Sequence, residues 1–268
     1  MTGTRPTADE RDFFDSKGYL LLDSLLPSAL VGRLLDRLDA ALERRAALER
    51  SGVSSNSPGK RLAVEGEDRR IFHILDDDPE FLELVDYPAV MPYVRELLHE
   101  KAHFHASDAI WEQGAGGRGP GWHIDGADRG YRRLRPRIPL LQLKIGYFLS
   151  DMTLPDQGNL MIVPGSHRDD SEPDPEQLSG FDTLPGAMQV CGPPGTAVLF
   201  HNALWHSQGP KRRPGGRRIM LYYAYEVPWV IGNPEHWSYP PGFYDALSPK
   251  RRKLFHGFLF DPREYRFA

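Results

Sequence analysis

Gly121-Trp122-His123-Ile124-Asp125 is the stretch on which the reading of this chain turns. A histidine and an aspartate two residues apart in an extended strand project to the same face. One imidazole nitrogen and one carboxylate oxygen can then reach a single cation without bending the backbone. The pair supplies two of the three ligands of a 2-His-1-carboxylate facial triad, the donor set of non-haem Fe(II) oxygenases. With ten histidines in the chain an accidental His-x-Asp is ordinary, and a solvated strand face is the plain alternative. The flanking sequence has to decide between them.

On either side of this stretch the pattern is that of short strands. His103 to Trp111 reads as a strand, and Gly114 to Gly121 as a glycine-rich turn leading into the His-x-Asp segment. That turn lacks the Gly-Lys-Ser/Thr ending of a phosphate loop and no helix follows it, so phosphate binding is set aside. Leu140 to Leu149 is a strand with Gln142, Lys144, Gly146 and Phe148 on one face. Lys144 therefore either touches a bound molecule or leaves the sheet for water. Leu160–Val163, Ala187–Cys191, Thr196–His201, Leu204–Gln208 and Arg217–Val227 complete about eight strands separated by Gly/Pro turns. This spacing predicts a β-sandwich, barrel or jelly roll.

Upstream the period changes. Ala8 to Lys17 is a short helix stopped by Gly18, and Tyr19 to Leu22 a brief strand. Pro27 and Ser28 open a long helix with Val31, Leu34, Leu35, Leu38 and Leu42 at spacings of three and four. Ser51 to Lys60 is a polar loop, and shorter helices are expected over Pro79–Val85 and Pro88–Leu98. The chain reads as one α+β domain with a mainly β core: residues 1–101 mostly helical, 102–227 the core, and 228–268 a C-terminal cover with a short helix near Ser248 to Phe255.

Composition narrows the function classes. At 268 residues, 40% apolar and 26% charged, the chain has material for one real core. A formal net charge of -4 gives no basic field for nucleic acid, and the Arg132–Arg137 and Lys211–Arg218 clusters are local. No apolar run approaches a membrane span, and Met1 to Arg11 lacks the apolar core of a secretory signal. Cys191 is the single cysteine, so a reducing, cytoplasmic setting is expected.

A jelly roll brings distant segments onto one inner surface, so the third ligand should come from the last strands, where His201 and His206 both qualify. Arg217 decides for His206, because it stands eleven residues on, at the start of the final strand. A guanidinium there can grip a carboxylate of a small acid that also chelates the metal. That combination is what a 2-oxoglutarate site requires.

In this order the residues resemble the phytanoyl-CoA dioxygenase family of Fe(II)/2-oxoglutarate-dependent oxygenases. The resemblance runs from Phe13-Phe14 through Gly18-Tyr19, His123-x-Asp125, Gly158-Asn159, Pro164-Gly165-Ser166-His167 and Gly195 to His201, His206 and Arg217. It implies a double-stranded β-helix (a cupin-like jelly roll) with flanking N-terminal helices. His123, Asp125 and His206 would bind Fe(II), and Arg217 the distal carboxylate of 2-oxoglutarate. Arg218 would face the opposite side of the strand. Gln208 falls where the family carries a small polar contact to the co-substrate, and Lys144 is a further candidate contact. His167 is read as a loop brace and His201 as a support for the ligands. The implied reaction consumes O2 and 2-oxoglutarate, releases succinate and CO2, and hydroxylates a C–H bond of a small molecule. Asp125 favours oxygenation, since halogenating relatives lack that carboxylate. Two rival readings stay open here: a cupin-like metal enzyme that does not use 2-oxoglutarate, and a jelly-roll binding module without turnover. Arg129, Arg132, Arg133, Arg135 and Arg137 suit a phosphate-bearing substrate, a smaller anionic substrate or plain solvent, and the tail aromatics Trp229, Trp237, Tyr239, Phe243 and Tyr244 either packing or substrate contact.

Overall fold

Helix α1 (Ala8–Lys17) starts where Thr7 and Glu10 form a reciprocal capping box and stops at Gly18, whose φ of 77° is a left-handed cap. Helix α2 (Ser28–Arg50) buries Leu30, Val31, Leu34, Leu38 and Ala41 along one stripe, as the spacing predicts. The stripe ends on a charge: Arg45 is buried, donates to the Phe72 and His73 carbonyls, and pairs with Asp77. The computed structural model describes residues 4–51, 62–65, 68–117, 119–126, 130–230, 239 and 242–255. Most of the loop expected over Ser51–Lys60, and much of the expected C-terminal cover, lie outside the described residues.

The strands of the core are β1 (Tyr19–Leu22), β2 (Leu62–Glu65), β3 (Asp68–Phe72), β4 (His103–Gln113) and β5 (Gln142–Phe148). They continue with β6 (Leu160–Ile162), β7 (Met188–Gln189), β8 (Ala197–His201), β9 (His206–Gln208) and β10 (Arg217–Glu226). Seven form one antiparallel sheet in the order β1-β8-β5-β10-β4-β3-β2, and three form a second in the order β7-β6-β9. Leu160 and Ile162 of the small sheet pack on Val198, Phe200, Met220 and Tyr222 of the large one, so the two sheets face each other across an inner core. The outer face of the large sheet, including Leu143, Ile145, Tyr147, Leu199, Leu221 and Tyr223, packs with α1, α2 and the short helices.

Two features depart from the sequence reading. Strands β2 and β3 were not expected, yet they extend the large sheet beyond β4. Their sequence, Leu62–Glu65 and Asp68–Phe72, is too short and too charged to show a period of two. The His-x-Asp segment is also not a regular strand: its only ladder contact among the described residues is a single bridge from His123 to His206. The expected helices near Pro79 and Pro88 are present as α3 (Pro79–Leu82) and α4 (Met91–Tyr93), the latter running into a wider turn over Val94–Leu98.

The α3 region is tied to the sheet by two buried phenols. Tyr223 donates to the Phe81 carbonyl at 2.7 Å, and Tyr225 to the Val85 carbonyl at 2.9 Å. Tyr223→Phe and Tyr225→Phe should each leave a buried carbonyl short of a donor and cost about 1–3 kcal/mol. Urea unfolding midpoints measure this; a variant as stable as the parent would show that the bond adds nothing.

Candidate metal centre

The ligand segments are held by backbone bonds rather than by a long strand. His123 N–H donates to the His206 carbonyl and His206 N–H to the His123 carbonyl, both at 3.0 Å. Two residues on, Asp125 N–H donates to the Asn202 carbonyl at 2.8 Å. The Asn202 side chain in turn accepts from the Leu141 and Gln142 amides at 2.9 and 3.2 Å, which anchors this turn to β5. Residues 123 and 125 therefore share a face although the stretch makes no continuous ladder.

His123, Asp125 and His206 each offer one ligand atom, and these atoms lie within 4.8 Å of one another; they form the one such group among the described residues. The hydrogen bonds select the tautomers. His206 Nδ1–H donates to the Leu204 carbonyl at 2.9 Å and His123 Nδ1–H to the Gly121 carbonyl at 2.6 Å. A carbonyl only accepts, so both Nε2 lone pairs are left for a cation. Burial, and then the neighbouring His123, push the His206 pKa down to about 3, which keeps it neutral. Asp125 is 9% exposed. Burial works against its charge, but Lys144, His206 and His123 outweigh it and hold the carboxyl well below the usual carboxylate range. Lys144 Nζ donates to Asp125 Oδ1 at 2.7 Å, while Asp125 Oδ2 is buried without a hydrogen-bond partner. A buried anionic oxygen with no donor, beside two imidazole lone pairs, fits a divalent cation, and this donor set suits Fe(II).

The triad opens into a cavity of about 440 Å³ between the sheets, lined by Arg70, Asp108, Lys144, Gln208, Arg218 and Tyr222 among others. Lys144, which the sequence leaves open between a bound molecule and water, and Gln208 both line this cavity. Arg217 does not. It is exposed on the outer face of β10, beside Ser150 and Asp151 in a separate crevice, and its guanidinium lies 6.0 Å from the Trp111 ring. Arg218 is the arginine in the cavity, 3% exposed. Its Nη2 donates to the Tyr222 hydroxyl at 3.0 Å, its Nη1 lies 3.5 Å from Glu112 Oε2, and its Nε is buried without a partner. Burial opposes its charge, yet Tyr222 and Glu112 outweigh that and keep its pKa above the ordinary value.

The misplacement has a simple cause. Counting residues from His206 does not fix which face a strand residue takes, and one residue more in the turn before β10 exchanges the faces. The signal for the correct face lies in β10 itself. Ile219, Leu221, Tyr223 and Tyr225 form the more apolar parity and pack in the outer core. Arg218, Met220 and Tyr222, on the other parity, must therefore face the site. Tyr222 has room to do so because Gly146 stands opposite: a Cβ there would lie 2.9 Å from the tyrosine ring. Glu112, Asn202 and Ser207, which accepts from Gly121 N–H at 2.8 Å, also went unremarked in the sequence, since none belongs to a recognisable motif.

The remaining candidates lie away from the triad. His201 faces the outer side of β8, where its Nδ1 accepts from Ala203 N–H and its ring lies 4.9 Å from that of His167. It makes no hydrogen bond to the triad, contrary to the supporting role expected of it. His167 braces the loop, with Nε2 2.9 Å from the Asp15 carbonyl. Tyr239, Phe243 and Tyr244 pack with Phe255 against the outer core, and Trp229 is 66% exposed. Arg135 is bonded to Glu172 at 3.0 Å, and Arg132 sits over Trp205. Arg129, Trp237, His236 and His256 lie outside the described residues. No helix among the described residues is long and apolar enough to cross a membrane.

Comparison with known proteins agrees with this geometry. Residues 14–219 match the family described as phytanoyl-CoA dioxygenase (PhyH). The ectoine dioxygenase of Sphingopyxis alaskensis is 26% identical over 251 residues, covering 84% of this chain and 79% of its own. The L-proline trans-4-hydroxylase of Streptomyces griseoviridis is 24% identical, with 90% and 93% covered. The crystal structure of EctD from S. alaskensis with 2-oxoglutarate and 5-hydroxyectoine superposes with a TM-score of 0.65 at 25% identity, covering 83% of this chain and 76% of that one. The chain belongs to the phytanoyl-CoA dioxygenase family and, with it, to the Fe(II)- and 2-oxoglutarate-dependent dioxygenases.

Proposed function

We propose that His123, Asp125 and His206 hold Fe(II), that Arg218 takes the distal carboxylate of 2-oxoglutarate, and that the protein hydroxylates a C–H bond of a small molecule. The observation that carries this reading is the pairing, in one cavity, of the triad with a buried arginine whose Nε has no partner. The small substrates named for relatives, ectoine derivatives and proline, support the small-molecule part. The lone Cys191 supports a cytoplasmic setting.

The bound iron and co-substrate supply the oxidation, in which one oxygen atom of O2 enters succinate as CO2 leaves and the other enters the substrate C–H bond. The chain's own residues prepare the site. The carbonyls of Gly121 and Leu204 hold the two imidazoles in the tautomer that presents Nε2. Lys144 occupies one oxygen of Asp125 and so turns the other toward the cation position. Tyr222 and Glu112 fix the Arg218 guanidinium on the inner face of β10. Leu160 and Phe200, lining the same cavity, keep water from the reacting atoms. Gln208, also on the lining, would supply an amide donor to a co-substrate oxygen, a reading supported by its place in the cavity wall.

His123→Ala, Asp125→Ala and His206→Ala should each lose bound iron while keeping the circular dichroism of the parent. Iron content per chain is the measurement, and a full complement in any one variant would remove that residue from the ligand set. For the arginines the two neighbours act as each other's control. Arg218→Ala should raise the KM for 2-oxoglutarate by the equivalent of about 2–5 kcal/mol, because it removes one partner of a desolvated charge pair. Arg217→Ala should leave that KM within about threefold. The reverse ranking in a 2-oxoglutarate titration would show that the outer arginine, not the inner one, anchors the co-substrate.

A further inference from the structure

Once iron and 2-oxoglutarate are assigned to the triad and Arg218, the cavity still holds one charged couple that neither uses. Arg70 Nη2 donates to Asp108 Oδ2 at 2.7 Å, and both residues line the cavity that contains His123 and His206. Their exposures differ: the Arg70 side chain is 46% exposed and that of Asp108 is 17% exposed. The carboxylate is therefore set in the wall and the guanidinium stands at the lip, stacked 4.6 Å above the Phe72 ring.

Sheet register gives the depth of the couple. Asp108 stands opposite Tyr222, which stands opposite Gly146, so all three share one inward row. Lys144, the partner of Asp125, occupies the next row along β5. Arg218 and Glu112 pair four residues the other way, roughly 13 Å along the strand at about 3.3 Å per residue. Asp108 is thus near the level of the metal ligands, while Arg70 stands opposite Ile110, one row nearer Arg218, whose guanidinium is turned to the Tyr222 hydroxyl and Glu112.

Formal charge then points to the ligand. Fe(II) and the cations Lys144 and Arg218 together balance Asp125, Glu112 and the two carboxylates of 2-oxoglutarate. The loaded cavity is left neutral, with one positive group at its lip beside one negative group in its wall. Such a site does not favour a polyanion. It matches a molecule that itself carries one of each charge, since an ammonium replaces the guanidinium on Asp108 while a carboxylate takes up the freed fork of Arg70. About 440 Å³, shared with the co-substrate, is low in the range of small-molecule sites and suits a compact substrate.

We infer that the substrate is a small zwitterion of the amino-acid type, its ammonium group held by Asp108 and its carboxylate by Arg70. This deepens the reading of the site as an Fe(II)/2-oxoglutarate oxygenase and rests on it.

The test is a matched panel offered to the full chain with Fe(II) and 2-oxoglutarate. It comprises compact cyclic and acyclic amino acids, their N-acetyl derivatives, their methyl esters, and an acyl-CoA thioester. Succinate release is followed in air, and binding of the same compounds is followed by calorimetry without oxygen. At least one zwitterion should bind and raise succinate release over the uncoupled level. Its N-acetyl and ester forms should each lose at least about tenfold in kcat/KM, as expected for a site whose polar groups are left unpaired. Arg70→Gln should erase the preference for the free acid over the ester, and Asp108→Asn the preference for the free amine over the N-acetyl form. Iron and 2-oxoglutarate binding with no response to any zwitterion, or an equal or better response to the thioester or to singly charged analogues, overturns the inference and leaves the oxygenase reading intact. A raised KM for 2-oxoglutarate in Arg70→Gln with the panel ranking unchanged also overturns it, assigning Arg70 to the co-substrate instead. Failure to bind 2-oxoglutarate at all defeats the oxygenase reading, and the inference with it.

Discussion

The reciprocal pair of backbone bonds between His123 and His206 is the contact on which the site depends. It fastens a turn with no ladder of its own to the small sheet, and it does so at the two residues whose imidazoles must converge. Carbonyls of the same two segments, at Gly121 and Leu204, then orient the rings. Position and tautomer are thus set by main-chain atoms, which a substitution other than to proline leaves in place. Asn202 extends this scaffold to β5 by accepting two amides through its side chain and one through its own carbonyl. The carboxylate of Asp125 arrives at the triad on the third of these bonds.

The second organising feature is the division of β10 between two cores. Its outward parity, from Ile219 to Tyr225, is locked under the helices, and Tyr223 and Tyr225 spend their hydroxyls on carbonyls near α3. A one-residue slip would drive those phenols into the cavity and Arg218 into an apolar layer, so the register is strongly specified. Burying Arg218 is tolerable because Tyr222 and Glu112 meet two arms of the guanidinium. Gly158 belongs to the same arrangement: its φ of 86° and missing side chain leave space that a Cβ would take from Glu112 and the Arg218 stem.

Where the chain was legible, periodicity or a motif was present. Helix α2 showed its buried stripe, the strands from β4 to β10 showed their turn punctuation, and His123, Asp125 and His206 carried a recognisable spacing. Alternation groups Lys144 with Gln142, Gly146 and Phe148 but leaves open whether that face meets a cavity or water; the partner strands turn it inward. Strands β2 and β3 were missed because they are short and charged, and owe their existence to pairing with β4. Spacing points to Arg217 rather than Arg218, because it measures distance along the chain and says nothing about the face. The sequence reads His201 as a support for the ligands, since such groups commonly orient metal-binding side chains, yet the alternation of β8 turns it toward His167.

The sequence by itself therefore determined the fold class, the family and the His-Asp-His set that the structure brings together, since each is written in local composition, order and spacing. Only the tertiary structure decided which arginine enters the cavity, that Lys144 rests on Asp125, and that Arg70 and Asp108 pair in the same cavity. These are relations between residues on different strands. They depend on register and pairing, which arise when sheets close on a shared core, and no single stretch of chain encodes them.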